Sequence, residues 1–125
     1  MKIVLIAIGG ALGALLRYYT SKVVNSTFSF SFIPWGTVIV NTIGAFVLSF
    51  LIFTSIERYE ISSSLLLFLG TGFLGAFTTF STFTYETLTL YIEIPIRGFV
   101  YFIVNIAFGF SAAYFGMILG RGKGF

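Results

Sequence analysis

The chain has 125 residues, which suits one domain, so residues 1–125 are treated as a single unit. It is 58% hydrophobic and 9% charged, and because soluble domains average about 25% charged residues, this composition predicts an integral membrane protein. The absence of cysteine and histidine excludes disulfides, thiolate metal sites and the usual general base, and the net charge of +3 comes from scattered residues, so no nucleic-acid partner is expected.

The first predicted span begins after Lys2. The uncharged run Ile3–Leu16 is shorter than the about 20 residues that cross a bilayer, so we expect the helix to continue through Arg17 towards Val24. Arg17 then lies within or near the membrane. It is either an anchor that reaches the interface or a positive charge that faces a water-filled vestibule.

A polar connection, Asn25–Ser31, precedes the second predicted span, which runs from about Gly36 to Ile56. Within that span Thr37 and Asn41 are four residues apart and share one face of the helix. An asparagine inside a membrane span is costly unless it is paired. Asn41 is therefore either a hydrogen-bonding contact between helices or an amide donor that faces a pore.

The third predicted span, Leu65–Tyr91, contains the stretch around which the chain is organised. From Gly70 to Glu86, three glycines are followed by hydroxyl residues that alternate with phenylalanines, and then by an acid. Glycine at this density weakens a helix, and in lipid a backbone that leaves the helix must find partners within the protein or line a wet cavity. We therefore predict a broken helix here and place the functional centre in it.

The last predicted span runs from about Gly98 to Leu119 and places Tyr101, Asn105 and Phe108 on one face. The fold class that follows is an all-α membrane protein of four transmembrane helices with the third one broken. Close helix approach is predicted at two G-x-x-x-G pairs, Gly9–Gly13 and Gly116–Gly120.

Positive charges are nearly balanced between the two sides of this topology. One side has four and the other has three, namely Lys2, Arg58, Arg121 and Lys123 against Arg17, Lys22 and Arg97. Orientation in a membrane normally follows a clear excess of Lys and Arg on the cytoplasmic side. The near balance predicts insertion both ways up and an antiparallel dimer, which could enclose a pathway that four helices hardly enclose alone. The alternative is one fixed orientation.

Three blocks of this sequence resemble the Fluc (CrcB) family of fluoride channels. They are Gly10–Tyr18, Trp35–Gly44 and Gly72–Glu86. The run Thr78–Phe83 in the broken span is the most specific part, the fourth span matches loosely, and Ala76 departs from the family, which often has a second glycine after Gly75. The resemblance implies a dual-topology homodimer in a lipid bilayer, with two fluoride pathways and a structural sodium ion at its centre.

The resemblance also implies roles for individual residues. Phe80 and Phe83 would be the pore phenylalanines and Asn41 the pore asparagine. Gly75 and Thr78 would offer backbone carbonyl groups to sodium. The further candidates for the fluoride pathway are Ser81 and Thr82 in a polar track, Arg17 near the vestibule, Glu86 as the family's acid, Tyr101 and Asn105 near pore-lining positions of the fourth helix, and Thr37 on the face of Asn41.

The chemistry of these residues agrees with such a pathway. Fluoride is small and strongly hydrated, so a path must replace its water with donors, which hydroxyl and amide groups supply. Phenylalanine edges carry partial positive charge and can face an anion weakly, which permits both entry and release. We therefore predict passive export of fluoride across the plasma membrane of a prokaryote, the inner membrane in a Gram-negative cell, which lowers the cytoplasmic fluoride concentration.

A second hypothesis is a small dual-topology, proton-coupled multidrug exporter. Such a protein couples proton entry to substrate exit through an acid in the membrane, and Glu86 is the one candidate in this sequence. The first span has no acid, which argues against it. A subunit that only packs against partners would not need the hydroxyl-rich break, and no nucleophile with an adjacent base indicates an enzyme.

Overall fold

The structure, a computed structural model, describes residues 1–123, and the secondary structure of that part is all helical. Four helical stretches in it are long and apolar enough to cross a membrane, as predicted. They are α1 (Lys2–Thr27), α2 (Trp35–Glu57), a composite third span (Ser63–Glu93) and a last helix (Pro95–Arg121). The chain is therefore a multi-pass membrane protein.

The third span departs from a regular α-helix, as predicted. Its parts in order are α3 (Ser63–Leu66), a π-helical segment (Leu67–Leu74), α4 (Gly75–Phe77) and, after three residues, α5 (Ser81–Glu93), which makes the last helix α6. The backbone at Thr78 is extended, with φ −84° and ψ 159°. Gly70 and Gly72 lie in the π segment, where their weak helix preference makes the wider turn less costly. The break proper is residues 78–80.

Glycines make the closest contacts between helices, as the two G-x-x-x-G pairs predicted. A Cβ atom on Gly13 of α1 would overlap the carbonyl oxygen of Phe73 in the π segment, and one on Gly116 of α6 would overlap that of Phe46 in α2. Backbone atoms occupy the space that a side chain would need, so these helices approach more closely than larger residues allow. The glycines thus hold α1 against the first half of the third span and α6 against α2.

Charged residues tie the helix ends together on both sides of the bundle. On one side Arg121 forms an ion pair with Glu57, and Arg58 Nη1 donates to a carbonyl in the last turn of α6 at 3.0 Å. On the other side Arg97 Nε donates to the carbonyl oxygen of Phe32 at 2.7 Å. The ends of α2 and α6 are therefore fixed to each other, and the start of α6 is fixed to the connection between α1 and α2.

Two helix ends differ from the prediction. α1 continues to Thr27, so the first three residues of the predicted polar connection are helical. Asn25 gains a partner there, because its Oδ1 accepts a hydrogen bond from Gly36 N at the start of α2 at 2.8 Å. α6 begins at Pro95, three residues before its predicted start, because a proline in the first turn gives up no helical hydrogen bond.

The buried core lies between α2, α5 and α6 and is small. Val38, Phe83, Leu90 and Tyr101 pack together in it. α1 exposes most of its apolar side chains, which is what a lipid-facing helix requires. The broken part of the third span is therefore flanked by a rigid core on one side and by α1 on the other.

Candidate functional site

A groove of about 500 Å³ lies beside the break in the third span. Its walls come from α2, the break, the start of α5 and the middle of α6. Four of the predicted pathway residues line it, namely Asn41, Phe80, Phe83 and Asn105, together with Thr78 at the break. The structure thus gathers these residues from three different spans around one open space.

The break releases the two carbonyl groups that the resemblance assigns to a sodium ion. In a continuous α-helix the amide of Thr79 would donate to the carbonyl of Gly75, and the amide of Thr82 to that of Thr78. Here Thr79 N donates to Asn41 Oδ1 at 2.8 Å, and Thr82 N donates to Thr79 Oγ1 at 3.2 Å. The carbonyl oxygens of Gly75 and Thr78 have therefore lost their helical donors.

Asn41 of α2 contacts the break with both polar atoms of its side chain. Its Oδ1 accepts from Thr79 N, and its Nδ2 donates to the carbonyl oxygen of Thr79 at 3.0 Å. The opposite orientation of the amide would place donor against donor and acceptor against acceptor. One N–H of Nδ2 remains for another partner. Asn41 is thus a contact between helices and, at the same time, part of the groove wall.

Arg17 of α1 also contacts the third span next to the break. Its Nε donates to the carbonyl oxygen of Ala76 at 3.0 Å, and the side chain is half-buried. The helical donor for that carbonyl would be the amide of Phe80, which lies in the break. Arg17 therefore has a partner within the protein, and its place near a vestibule stays a prediction.

The two predicted pore phenylalanines lie in contact but differ in exposure. Their ring centroids are 6.0 Å apart with an interplanar angle of 64°, which is an edge-to-face arrangement. Phe80 is 76% exposed, whereas Phe83 is 6% exposed. Phe83 is held by Tyr101 and Phe102, at centroid distances of 5.9 and 5.8 Å. One ring is fixed in the core, and the other projects from the surface beside the break.

Next to the groove, Glu86 joins three helices through one carboxylate oxygen. Its Oε1 accepts from Thr37 Oγ1 of α2 and from the Tyr101 hydroxyl of α6, both at 2.6 Å. These are short distances for O–H···O hydrogen bonds. The structure therefore brings three more predicted residues together, beside the groove rather than in its wall.

Asn105, one helical turn after Tyr101, lies between this cluster and the groove. Its Nδ2 donates to the carbonyl oxygen of Tyr101 at 3.1 Å. Its Oδ1 is buried and has no hydrogen-bond partner among residues 1–123. Because a buried unpaired acceptor is costly, this oxygen suits a donor from outside the described chain, such as a water molecule.

Two further predicted pathway residues, Ser81 and Thr82, also lie outside the groove wall. Ser81 and Thr82 begin α5, and within the described part of the chain neither belongs to the groove wall. The Ser81 residue is exposed, and the Thr82 amide is used by Thr79 Oγ1. A polar track through these two hydroxyl groups stays a prediction.

The prediction missed the residues of α6 that line the groove on the C-terminal side of Asn105. Its residues are Ile106, Gly109, Phe110 and Ala113. Gly109 had a detectable signal, because a glycine in the middle of a helix weakens it. A Cβ atom there would meet no described atom within 4 Å, unlike those at Gly13 and Gly116. Packing within the described chain therefore does not explain this glycine.

Comparison with known proteins gives a consistent result. Residues 4–117 match the model of a family described as "CrcB-like protein, Camphor Resistance (CrcB)". The chain is 65% identical over 123 residues to a protein of Thermosipho melanesiensis, with 98% of each chain covered. It is 61% identical to a protein of Thermotoga maritima and 40% identical to one of Methanocaldococcus jannaschii, in each case over 94% of this chain and 93% of the relative. All three relatives are named "Fluoride-specific ion channel FluC".

Proposed function

Because the chain belongs to the CrcB-like family, we propose that it is an ion channel that conducts fluoride passively across a membrane. Three relatives that match over most of this chain are named as fluoride-specific channels. A passive channel carries fluoride down its electrochemical gradient. In a cell with excess internal fluoride the net flow is outward, so the cytoplasmic concentration falls.

The observation that supports this proposal best is the groove beside the broken span. It places an amide group, two phenylalanine rings and an interrupted backbone around one space, beside a break that lies midway along the third span. An anion that enters this space loses water, and the remaining N–H of Asn41 and the ring edges offer weak replacements. Weak, repeated contacts suit conduction, because an ion that is held tightly does not leave.

We further propose that two copies pair antiparallel, as a dual-topology homodimer. Phe80 is 76% exposed, and in the same broken segment the carbonyl groups of Gly75 and Thr78 have lost their helical donors. Lipid can cover an exposed ring, but it cannot hydrogen-bond to a freed carbonyl. A second copy on this side would cover the groove, and the nearly balanced positive charges permit insertion in both orientations.

The released carbonyl groups fit a structural sodium ion. Carbonyl oxygens are hard ligands, which suits a small hard cation, and unwound backbone in membrane proteins commonly supplies them. We propose that Gly75 and Thr78 of both copies hold the ion. Bound there, it would supply a positive charge that lowers the cost of bringing an anion to the centre of the membrane.

We place the protein in the plasma membrane of a prokaryote, which is the inner membrane in a Gram-negative cell. Its matched relatives come from bacteria and archaea, including Thermotoga maritima and Methanocaldococcus jannaschii. Four helical stretches long enough to cross a bilayer support a multi-pass arrangement there.

A flux assay in liposomes tests the proposed function. The purified protein is reconstituted with internal potassium fluoride or potassium chloride, and efflux is followed with ion-selective electrodes after valinomycin releases the compensating potassium. We expect rapid fluoride efflux, little chloride efflux, and no change when a protonophore collapses the proton gradient. Efflux that stops with the proton gradient would contradict the channel and favour the proton-coupled exporter. Equal rates for both anions would contradict selectivity. Protein-free liposomes give the leak.

A further inference from the structure

Asn41 gives the backbone N–H and C=O of Thr79 both of the hydrogen bonds that a continuous helix would give them. In such a helix Thr79 N would donate to Gly75 O, and Thr79 O would accept from Phe83 N. In this structure the first partner is Asn41 Oδ1 at 2.8 Å and the second is Asn41 Nδ2 at 3.0 Å. One side chain from α2 therefore replaces the two helical hydrogen bonds that Thr79 loses at the break.

From this geometry we infer that Asn41 is a positioning residue that keeps the third span broken whether or not a cation is bound. Breaking a helix inside a membrane leaves backbone groups that lipid cannot pair, so without a side-chain partner the backbone at the break would fluctuate and not hold one conformation. With Asn41 in place, the Thr79 N–H is occupied and cannot return to Gly75 O. The carbonyl of Gly75 therefore stays available.

This inference deepens the proposed function, and its second part rests on the proposed sodium site. If the carbonyl oxygens of Gly75 and Thr78 bind sodium, Asn41 preorganises that site although it does not touch the ion. A preorganised site binds more tightly, because the cost of ordering the backbone is already met when the protein folds. Loss of Asn41 would therefore weaken sodium binding as well as change the groove wall.

The neighbouring contacts agree with a break that is built into the chain. Arg17 Nε donates a hydrogen bond to the carbonyl oxygen of Ala76, and Thr79 Oγ1 accepts one from the amide of Thr82. Like Asn41, these side chains serve backbone groups next to residues 78–80. Asn41 differs from them because it satisfies both the donor and the acceptor of one residue's backbone.

Hydrogen exchange of the backbone tests the first part without any role for sodium. Wild-type protein, Asn41→Ser and Thr42→Ala are compared in nanodiscs in sodium-free buffer, and exchange is read by mass spectrometry in peptides covering residues 75–84. Serine is too short to reach both groups of Thr79, so exchange there should become faster by about tenfold or more, as expected for the loss of one or two hydrogen bonds. Thr42 is the next residue on α2, and its hydroxyl makes no hydrogen bond among residues 1–123, so Thr42→Ala should leave exchange unchanged.

A sodium titration of thermal stability tests the second part. We expect sodium to raise the melting temperature of the wild type and of Thr42→Ala at the same midpoint concentration, and Asn41→Ser to need at least tenfold more sodium. A general loss of stability would lower every melting temperature without moving that midpoint, and a residue that only contacts fluoride would not move it either. A wild type that does not respond to sodium would overturn the sodium site and the second part, but not the first.

Unchanged exchange at residues 75–84 in folded Asn41→Ser would overturn the inference, even if fluoride flux were lost. If that variant does not fold, Asn41→Asp decides instead. Aspartate keeps the acceptor for Thr79 N, but loses the donor to Thr79 O and places two oxygens in contact. Because Asn41→Asp keeps one of the two hydrogen bonds, we expect its exchange to be faster than that of the wild type, but by less than the loss of both bonds would cause. Exchange equal to that of the wild type would also overturn the inference.

Discussion

The contact between Gly44 and Thr78 offers a sharp test of how α2 fits against the break. A Cβ atom on Gly44 would overlap the Cγ2 methyl group of Thr78, and the next atoms, Phe77 Cδ2 and Thr78 Cβ, would lie at ordinary distances of 3.5 and 3.6 Å. The methyl group has little freedom to rotate away, because Thr78 Oγ1 donates to the carbonyl oxygen of Leu74 at 3.0 Å. The Cγ2 methyl group of Thr78 therefore prevents an alanine side chain from fitting at position 44.

We predict that Gly44→Ala destabilises the protein and that Thr78→Ser restores it. Inserting a methyl group into a packed site costs about 1–3 kcal/mol. Thr78→Ser removes the obstructing methyl group and keeps the hydroxyl, and losing one buried methyl costs about 0.8 kcal/mol at most. The double variant should therefore be more stable than the sum of the single changes predicts, by about 0.5–3 kcal/mol. Its fluoride flux should recover with its stability, because without the methyl group an alanine at position 44 no longer displaces residue 78 and its carbonyl group.

The measurement is a double-mutant cycle of unfolding free energy in detergent, with liposome fluoride flux on the same four proteins. Gly10→Ala is the matched control, since a Cβ atom there would lie 3.8 Å from its nearest neighbour, the carbonyl oxygen of Gly72. It should cost little, and Thr78→Ser should not change its effect. If Gly44→Ala and Thr78→Ser add within about 0.5 kcal/mol, the methyl group is not the obstacle and this account of the contact is wrong.

Three further predictions concern the pathway and the assembly. Phe80→Ile and Phe83→Ile keep apolar bulk but remove the ring edge, so each should lower fluoride flux sharply. The dimer should persist in size-exclusion chromatography. Near-normal flux in both variants would mean that the pathway lies elsewhere. Gly109→Ala should stabilise α6 by up to about 1 kcal/mol, since no atom of residues 1–123 lies within 4 Å of a Cβ there, but it narrows the groove and should lower fluoride flux. A more stable protein with unchanged flux would show that position 109 does not line the ion path. Two lysines added at the C-terminus should bias insertion to one orientation and lower activity when that variant is expressed alone. Unchanged activity, with labelling of the terminus from one side only, would contradict the antiparallel dimer.

The sequence by itself determined the membrane class, the four spans, the break in the third and the sites of closest helix approach. These features depend on local properties of the chain. A long apolar run predicts a span in any fold, three glycines within six residues weaken a helix wherever they occur, and a G-x-x-x-G pair presents a flat helix surface. The resemblance added Phe80 and Phe83 and made Asn41 the pore asparagine, and the structure gathers these three residues around one groove.

Only the tertiary structure decided which group each polar side chain serves. Asn41 binds the backbone of Thr79, which is 38 residues away, and Arg17 binds that of Ala76, 59 residues away. Glu86, the one acid available to a proton-coupled exporter, accepts hydrogen bonds from α2 and α6. Helical periodicity places a residue on a face, but its partner depends on which helix packs there and at what height. In this chain the relative heights of the helices are set by the glycine contacts of α1 with the π segment and of α6 with α2. The hydrogen-bond partners of the break therefore followed from the packing of the whole bundle.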